Sequence, residues 1–196
     1  PEVFEKCGFD AVIGNPPFLG GKKISGPMGS AYREYLVNAI AGGTKGNADL
    51  IAYFTLRAHR VLNDRGQTGL IATNTLAQGD TREVGLDQLV AGGVTIRQAV
   101  KSEPWPSKSA ALEYCAVWSS RINLDEKAKK ILDGNPVRGI TPSLTPASRV
   151  SGNPERLASN KGVAFIGNLV NGIGFSMSNK EAKEIITLDP VNKEVL

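Results

Sequence analysis

The stretch Phe9–Phe18, FDAVIGNPPF, decides the fold. Phe9–Ile13 is a short, mostly apolar run that ends at Gly14, a pattern typical of a strand buried in a sheet covered on both faces. Pro16 and Pro17 end this strand, because a proline has no backbone N–H to give to a neighbouring strand. We therefore expect a buried strand that runs directly into a stiff loop.

A helix and a second strand follow a glycine-rich loop. Asn47 is placed to cap a helix whose apolar side chains recur at three- and four-residue spacing between Leu50 and Leu62. Thr68–Thr73, TGLIAT, is again a short apolar run and predicts a second buried strand. Strand, helix and strand in succession predict a parallel crossover. The expected fold class is therefore α/β.

The rest of the chain predicts a hairpin and then a change of character. Val94–Val100 and Ala110–Trp118 have the composition of two more strands, which gives about four in all. Leu124–Leu132 has the pattern of a charged helix, and the prolines that follow it among Ser, Thr and Arg are typical of a linker. We expect three segments: a first domain over 1–121, a helix and linker over 122–162, and the start of a second domain over 163–196, with a strand at 163–167 and a helix capped by Ser178 and Glu181.

Composition excludes several classes of protein. The 196 residues are 41% hydrophobic and 21% charged, as in a globular protein, and no window approaches the roughly 18 apolar residues of a membrane span. We expect a soluble, cytoplasmic protein. Two cysteines and one histidine are too few for a structural zinc site, so no metal is expected. The net charge of +4 permits a polyanionic partner. Because the chain begins with Pro1 rather than Met, we expect it to be cut from a longer protein.

Asn15, Pro16, Pro17 and Phe18 carry the chemistry. The carboxyl ends of parallel strands face the ligand crevice of an open sheet, so this loop is presented where substrates bind. The Asn15 side-chain carbonyl and the Pro16 backbone carbonyl can each accept one hydrogen from an exocyclic amine. Phe18 offers a flat face on which a base can stack. The alternative interpretation is a proline turn that merely closes a strand.

The same residues carry a resemblance to a known family. FDAVIGNPPF resembles motif IV of the amino-methyltransferases that use S-adenosylmethionine, in the Asn-Pro-Pro-Phe form typical of adenine-N6 DNA methyltransferases. ADLIAYFTLRAHRVLNDRGQTGLIATNTLAQGDTRE and SEPWPSKSAALEYCAVW resemble the next helix and strand and the late hairpin of large single-polypeptide type II restriction-modification enzymes. The resemblance covers residues 9–120 well. Beyond them it is loose, as for the start of a target recognition domain.

This resemblance implies a fold and a reaction. The fold would be the C-terminal half of a Rossmann-like class I methyltransferase sheet. Asn15, Pro16, Pro17 and Phe18 would be the catalytic loop for methyl transfer to N6 of an adenine flipped out of double-stranded DNA. The family's glycine-rich cofactor loop is absent from the sequence, so S-adenosylmethionine would be bound by a missing N-terminal half of the same protein, or by a half placed later in a permuted order. A sheet edge left open by that absence would favour aggregation, a dimer or pairing with the missing half.

Further residues are weaker candidates. Trp105 would line the target-base pocket by analogy, and Lys22, Lys23 and Arg82, expected on loops at the carboxyl ends of strands, could meet DNA phosphates. Asp49 is an acid common in the family at this point, or simply an acid in a first helical turn. Two other functions stay open. One is methyl transfer to ribosomal-RNA guanine or protein glutamine, and the other is a noncatalytic nucleic-acid-binding or assembly module.

Overall fold

The computed structural model describes residues 7–106, 113–122, 128–148 and 177–194. The chain divides into two compact units, Pro1–Ser151 and Gly152–Leu196. The first unit contains a mixed six-stranded sheet with helices packed on one of its faces. The described part of the second unit is a single helix followed by a 3₁₀ turn.

Three helices separate the first two strands of the first unit. In chain order they are β1 (Phe9–Gly14), α1 (Gly21–Met28), α2 (Ser30–Tyr35, continued by a π-helical turn over Leu36–Ile40), α3 (Leu50–Arg60), β2 (Leu62–Thr73), a 3₁₀ turn (Asn74–Ala77), α4 (Gly79–Arg82, continued by a π-helical turn over Glu83–Asp87), α5 (Gln88–Ala91), β3 (Thr95–Pro104), β4 (Glu113–Ser120), β5 (Lys130–Leu132) and β6 (Asn135–Val137). The second unit contributes α6 (Asn179–Leu188) and a 3₁₀ turn (Pro190–Glu194).

The strand order is β1-β2-β4-β3-β5-β6. β1 pairs with β2 in parallel, Val12 facing Thr68, whereas β4 is antiparallel to both β2 and β3. Tyr114 near the start of β4 therefore lies opposite Thr73 at the end of β2. As a result the ends of β1, β2 and β3 meet at one edge of the sheet, which we call the carboxyl edge. The predicted α/β class, parallel crossover and hairpin are confirmed.

The prediction that Phe9–Ile13 is buried is wrong for the part of the chain described. β1 is an edge strand, in which Phe9 is 39% exposed and Ile13 is 84% exposed. Ile13 lies opposite Gly69 on the sheet face that also carries Trp118, 41% exposed. The apolar composition of the strand predicted that it is buried, but the described residues do not cover these side chains.

The predicted helix Leu124–Leu132 is also wrong at its C-terminal end, because Lys130–Leu132 is strand β5. Asp133 and Gly134 both have positive φ, 49° and 75°, and close a tight hairpin to β6. Asp-Gly is a sequence that two-residue hairpin turns favour, so the sequence did contain a pattern that predicts this turn. The spacing of the leucines predicted a helix instead. Residues 123–127 and the predicted strand at 163–167 lie outside the described residues, and the domain boundaries remain predictions.

The core of the first unit consists of two hydrophobic clusters. One joins the inner face of the sheet to the helices and includes Ile51, Leu76, Leu86, Ile96, Cys115, Val117, Ile140 and Leu144. The other lies among the helices and includes Ile24, Leu36, Ile40, Leu50, Tyr53, Leu56 and Val84. Since Ile140 and Leu144 are buried, part of the expected linker packs as core.

Helix α6 begins as predicted. Ser178 is its N-cap, and the Ser178 hydroxyl and Glu181 carboxylate form the reciprocal capping box. The Glu181 carboxylate accepts hydrogen bonds from the Ser178 N–H at 2.7 Å and the Ser178 hydroxyl at 2.8 Å, and these two bonds lower the pKa of Glu181. In the ranges that the structure describes, no helix is long and apolar enough to cross a membrane.

A buried polar cluster ties α3 to the sheet. The Nε2 atom of His59 lies 2.8 Å from the Ser119 hydroxyl of β4, which lies 2.7 Å from the Thr68 hydroxyl of β2. The Nδ1 atom of His59 has no hydrogen-bond partner among the described residues. Burial and, to a smaller extent, the positive charge of Arg121 together lower the pKa of His59 to about 4. The imidazole is therefore neutral at pH 7.

Acid should destabilise the first unit through His59. Its pKa of about 4 when folded lies below the unfolded value of 6.5, so the stabilisation is full above pH 6.5 and is lost as the pH falls towards 4. Between pH 7 and pH 4 the free energy of unfolding should fall by about 3 kcal/mol from this residue. His59→Gln keeps an amide for Ser119 but does not titrate. Urea titrations followed by the fluorescence of Trp105 and Trp118 give the free energy of unfolding of the wild-type protein and of His59→Gln at each pH. If this free energy depended equally on pH in both proteins, the prediction would be refuted.

Candidate active site

The Asn-Pro-Pro-Phe loop lies at the carboxyl edge, directly after β1. Asn15 and Pro17 are exposed, and Pro16 is half-buried. Within the described residues neither the Asn15 side chain nor the Pro16 carbonyl has a hydrogen-bond partner. An open groove of about 310 Å³ adjoins both residues, and Val12, Phe54 and Arg57 line it. Two free acceptors therefore border a largely apolar groove, an arrangement suited to holding an amine on a flat ring.

Phe18 is anchored rather than fully free. Its ring is half-buried and packs against the cluster that contains Leu76 and Val117. Leu19, the next residue, packs against the helical cluster instead. The loop is thus fixed at its end by two hydrophobic contacts, and the exposed part of the Phe18 ring remains the candidate stacking surface.

Helix α3, which begins beside this loop, is capped by Asp49 and not by Asn47. The Asp49 Oδ1 atom accepts a hydrogen bond of 3.1 Å from the Ile51 N–H. Asn47 is exposed, and its backbone N–H donates to Asp80 Oδ2 at 2.6 Å. Asn and Asp are both good N-caps, so the sequence alone did not distinguish Asn47 from Asp49. The helix therefore begins two residues later than a cap at Asn47 would require.

The glycine-rich segment after the loop forms helix α1, so the expected loop position of Lys22 and Lys23 is wrong. Both lysines are exposed on this helix. Gly21 packs so closely on the next loop that a Cβ there would lie 2.4 Å from the Asn47 carbonyl carbon. Arg33 holds the two segments together by donating to the Gly21 carbonyl at 3.0 Å and the Gly46 carbonyl at 3.1 Å.

Trp105 reaches the same edge of the sheet as the Asn-Pro-Pro-Phe loop. It follows β3, whose last residue, Pro104, pairs with Glu113 at the start of β4. The half-buried indole packs edge-on against Tyr114, with ring centroids 5.5 Å apart. Topology therefore brings Trp105 and Phe18 to one edge, as the target-base prediction requires.

A polar cluster at this edge was not predicted. Asn74, directly after β2, donates to Glu113 Oε2 at 3.0 Å, and the Ser102 hydroxyl donates to the same oxygen at 2.5 Å. These contacts fix the Asn74 amide beside the start of β4. A sequence signal existed, because Asn74 follows the second parallel strand as Asn15 follows the first.

Comparison with known proteins identifies the family. Residues 1–101 match the Eco57I restriction-modification methylase family, which is half of the chain. The chain belongs to this family. No curated protein matches the sequence.

One solved structure confirms the fold of this family member. The structure of the Type IIL restriction-modification enzyme MmeI in complex with DNA matches 96% of the chain, with a TM-score of 0.69 and 21% identity. The chain spans 26% of that enzyme. Two smaller matches each cover 58% of the chain: a Listeria monocytogenes protein assigned as a class I S-adenosylmethionine-dependent methyltransferase (TM-score 0.42, 16% identity, 32% of that protein), and a type I restriction-modification methyltransferase subunit from Streptococcus thermophilus (TM-score 0.38, 14% identity, 24% of that protein).

Arg82 is committed to internal contacts in this methylase-family chain. It lies at the end of α4, not on a loop, and its side chain is 15% exposed. Its Nε donates to Asp87 Oδ2 and its guanidinium donates to the Ser143 hydroxyl, both at 3.1 Å. These bonds argue against the proposed phosphate contact, and they hold the 141–145 turn against the helices.

The described residues do not by themselves fit S-adenosylmethionine, the cofactor that the resemblance implies. No Asp or Glu lines the groove beside Asn15 that could accept hydrogen bonds from a ribose. Cys115 offers no nucleophile, because burial raises the pKa of its thiol to about 12 and its Sγ donates to the Thr73 carbonyl. What the described residues do supply is a pair of unpaired acceptors, on Asn15 and Pro16, beside an open groove.

Proposed function

We propose that this chain supplies the base-binding half of an adenine-N6 DNA methyltransferase in a restriction-modification system. The observation that carries the proposal is the pair of free acceptors, Asn15 Oδ1 and the Pro16 carbonyl, on a loop exposed at the carboxyl edge. Family membership supports methyl transfer as the reaction class. The MmeI relative, described in complex with DNA, supports DNA as the substrate.

The two acceptors have a defined task in this reaction. Each accepts one hydrogen of the exocyclic N6 amine, which leaves the nitrogen lone pair directed away from the loop. S-adenosylmethionine, when bound, supplies an electrophilic methyl group. Because Pro16 and Pro17 have fixed φ angles, the acceptors are held in place before the base arrives and reorganise little during reaction.

An adenine inside a duplex cannot reach these acceptors, so the proposal requires base flipping. Phe18 and Trp105, both at the carboxyl edge, are the aromatic rings on which the flipped base would stack. The exposed Lys22 and Lys23 follow the loop on α1 and would meet phosphates in this proposal. Arg82 has no such role in this proposal.

The cofactor would be bound by another segment of the protein that packs along β1. β1 is an edge strand of the sheet, and its exposed Ile13 offers that segment an apolar side chain to cover. Alternatively, a second copy of this chain would pack along β1 and form a dimer. A cytoplasmic location remains a prediction.

Replacing Asn15 by Ala removes one acceptor on the amine. In the full-length protein we expect turnover of adenine in duplex DNA to fall by at least about a hundredfold, with cofactor affinity little changed. Asn38→Ala, at an exposed position on the π-helical turn after α2, is the matched control. Radiolabelled methyl transfer followed by nucleoside chromatography measures both rate and product. Near-normal methylation by Asn15→Ala would remove Asn15 from the site, and a product other than N6-methyladenine would change the substrate class.

Phe18 should contribute stacking and not proton transfer. Phe18→Tyr and Phe18→Trp should keep much of the activity, whereas Phe18→Ala should weaken capture of the flipped base by about 1–3 kcal/mol. Because the ring also packs in the core, the melting temperature of each variant is needed as a control. Fluorescence of 2-aminopurine at the target position reports flipping, and an unchanged signal in a folded Phe18→Ala protein would contradict the role.

Residues 1–196 alone should not bind S-adenosylmethionine tightly, because they contain no glycine-rich cofactor loop. Titration calorimetry of the purified chain with the cofactor tests this expectation, and the full-length protein is the control. Micromolar binding by residues 1–196 would show that they contain a cofactor site.

A further inference from the structure

Asp49 makes one hydrogen bond more than a helix cap requires. Its Oδ1 atom accepts from the Ile51 N–H within its own helix and also from the Leu19 N–H, both at 3.1 Å. Leu19 is 30 residues away in sequence and directly follows Phe18. A single carboxylate oxygen therefore joins the start of α3 to the end of the Asn-Pro-Pro-Phe loop.

The bond to Leu19 has a partner that makes the junction rigid. The Leu50 N–H donates to the Leu19 carbonyl at 2.9 Å, so both backbone polar groups of Leu19 are bound to the first turn of α3. Asp49 is itself fixed, because its N–H donates at 3.0 Å to the hydroxyl of the buried Thr81. These contacts give the loop the backbone anchorage that Pro16 and Pro17, which have no N–H, cannot provide.

We propose that Asp49 is a positioning residue for the Asn-Pro-Pro-Phe loop. It does not contact the base; it sets the place of Asn15 and Pro16 through Leu19. We call the hydrogen bond from the Leu19 N–H to Asp49 Oδ1 the tether. Only its expected effect on catalysis rests on the proposed function, because the tether itself is a property of the fold. Its carboxylate suits the task because bonds from N–H groups to an ionised acceptor are stronger than neutral ones.

Loss of the tether should affect catalysis more than binding. A displacement of about 1 Å at a reacting group can lower a rate by about a hundredfold, whereas stacking of a base tolerates it. The groove and the aromatic rings would remain after such a displacement. We therefore expect kcat to fall while KM for DNA stays close to the wild-type value.

Three substitutions in the full-length protein separate tether from cap. Serine is a good N-cap but its hydroxyl is shorter by one bond, so Asp49→Ser keeps the bond from Ile51 and loses the one from Leu19. Asp49→Asn retains an oxygen at the same position and keeps both. Ser178→Ala removes a cap on α6, away from the loop in sequence, and controls for general loss of a helix cap.

Hydrogen exchange and kinetics together decide the proposal. In Asp49→Ser, peptides containing Leu19 should exchange faster while those containing Ile51 stay protected, kcat should fall about tenfold or more, and KM for DNA should change less than about twofold. Asp49→Asn and Ser178→Ala should stay within about threefold of wild type in kcat. Unchanged exchange at Leu19, or an unchanged kcat in Asp49→Ser, overturns the proposal.

The exchange measurement needs no substrate, so it tests the tether even if the proposed function fails. If the wild-type protein methylates another amine instead of adenine, the proposed substrate is wrong and the kcat comparison is made on that amine. If the wild-type protein transfers no methyl group at all, the proposed function fails, and unchanged Leu19 exchange in Asp49→Ser would still overturn the tether.

Discussion

The parallel pairing of β1 with β2 is the interaction on which the rest of the site depends. The ladder places Gly14 opposite Leu70, so both strands run to the same edge of the sheet. Because β4 is antiparallel to β2, the end of β3 and the start of β4 come to that edge as well. A register slip of one residue would move Asn15 by about 3.3 Å, which is more than a hydrogen bond to a substrate tolerates.

Rigidity and openness of the loop come from different residues. Pro16 and Pro17 stiffen the backbone and withhold donors, which leaves the acceptors of Asn15 and Pro16 free for a substrate. The same prolines cannot anchor the loop, so anchorage begins with the core contact of Phe18 and the backbone bonds of Leu19. A loop held by β1 at its start and by Phe18 and Leu19 at its end can present acceptors without closing on itself.

The sequence was sufficient for the features that depend on local pattern. The α/β class, the parallel crossover, the hairpin of β3 and β4 and the capping box at Ser178 follow from periodicity, turn residues and caps. It was insufficient where two local patterns predicted different structures. At Asp133 a turn forms, although the spacing of the apolar residues predicted a helix. It was also insufficient for the contact of Asn74 with Glu113, which are 39 residues apart and meet only through the register of β2 with β4.

The sequence also does not show which basic residues are available to contact DNA. Arg82 and Lys22 carry equal charge in the sequence, yet the fold uses Arg82 to hold Asp87 and Ser143 and leaves Lys22 exposed. A net charge of +4 therefore does not measure the charge that a phosphate would meet. Cations could attract any polyanion, and they would not distinguish DNA from RNA. The case for an adenine amine depends instead on Asn15 and Pro16, whose acceptors match two hydrogens on one nitrogen.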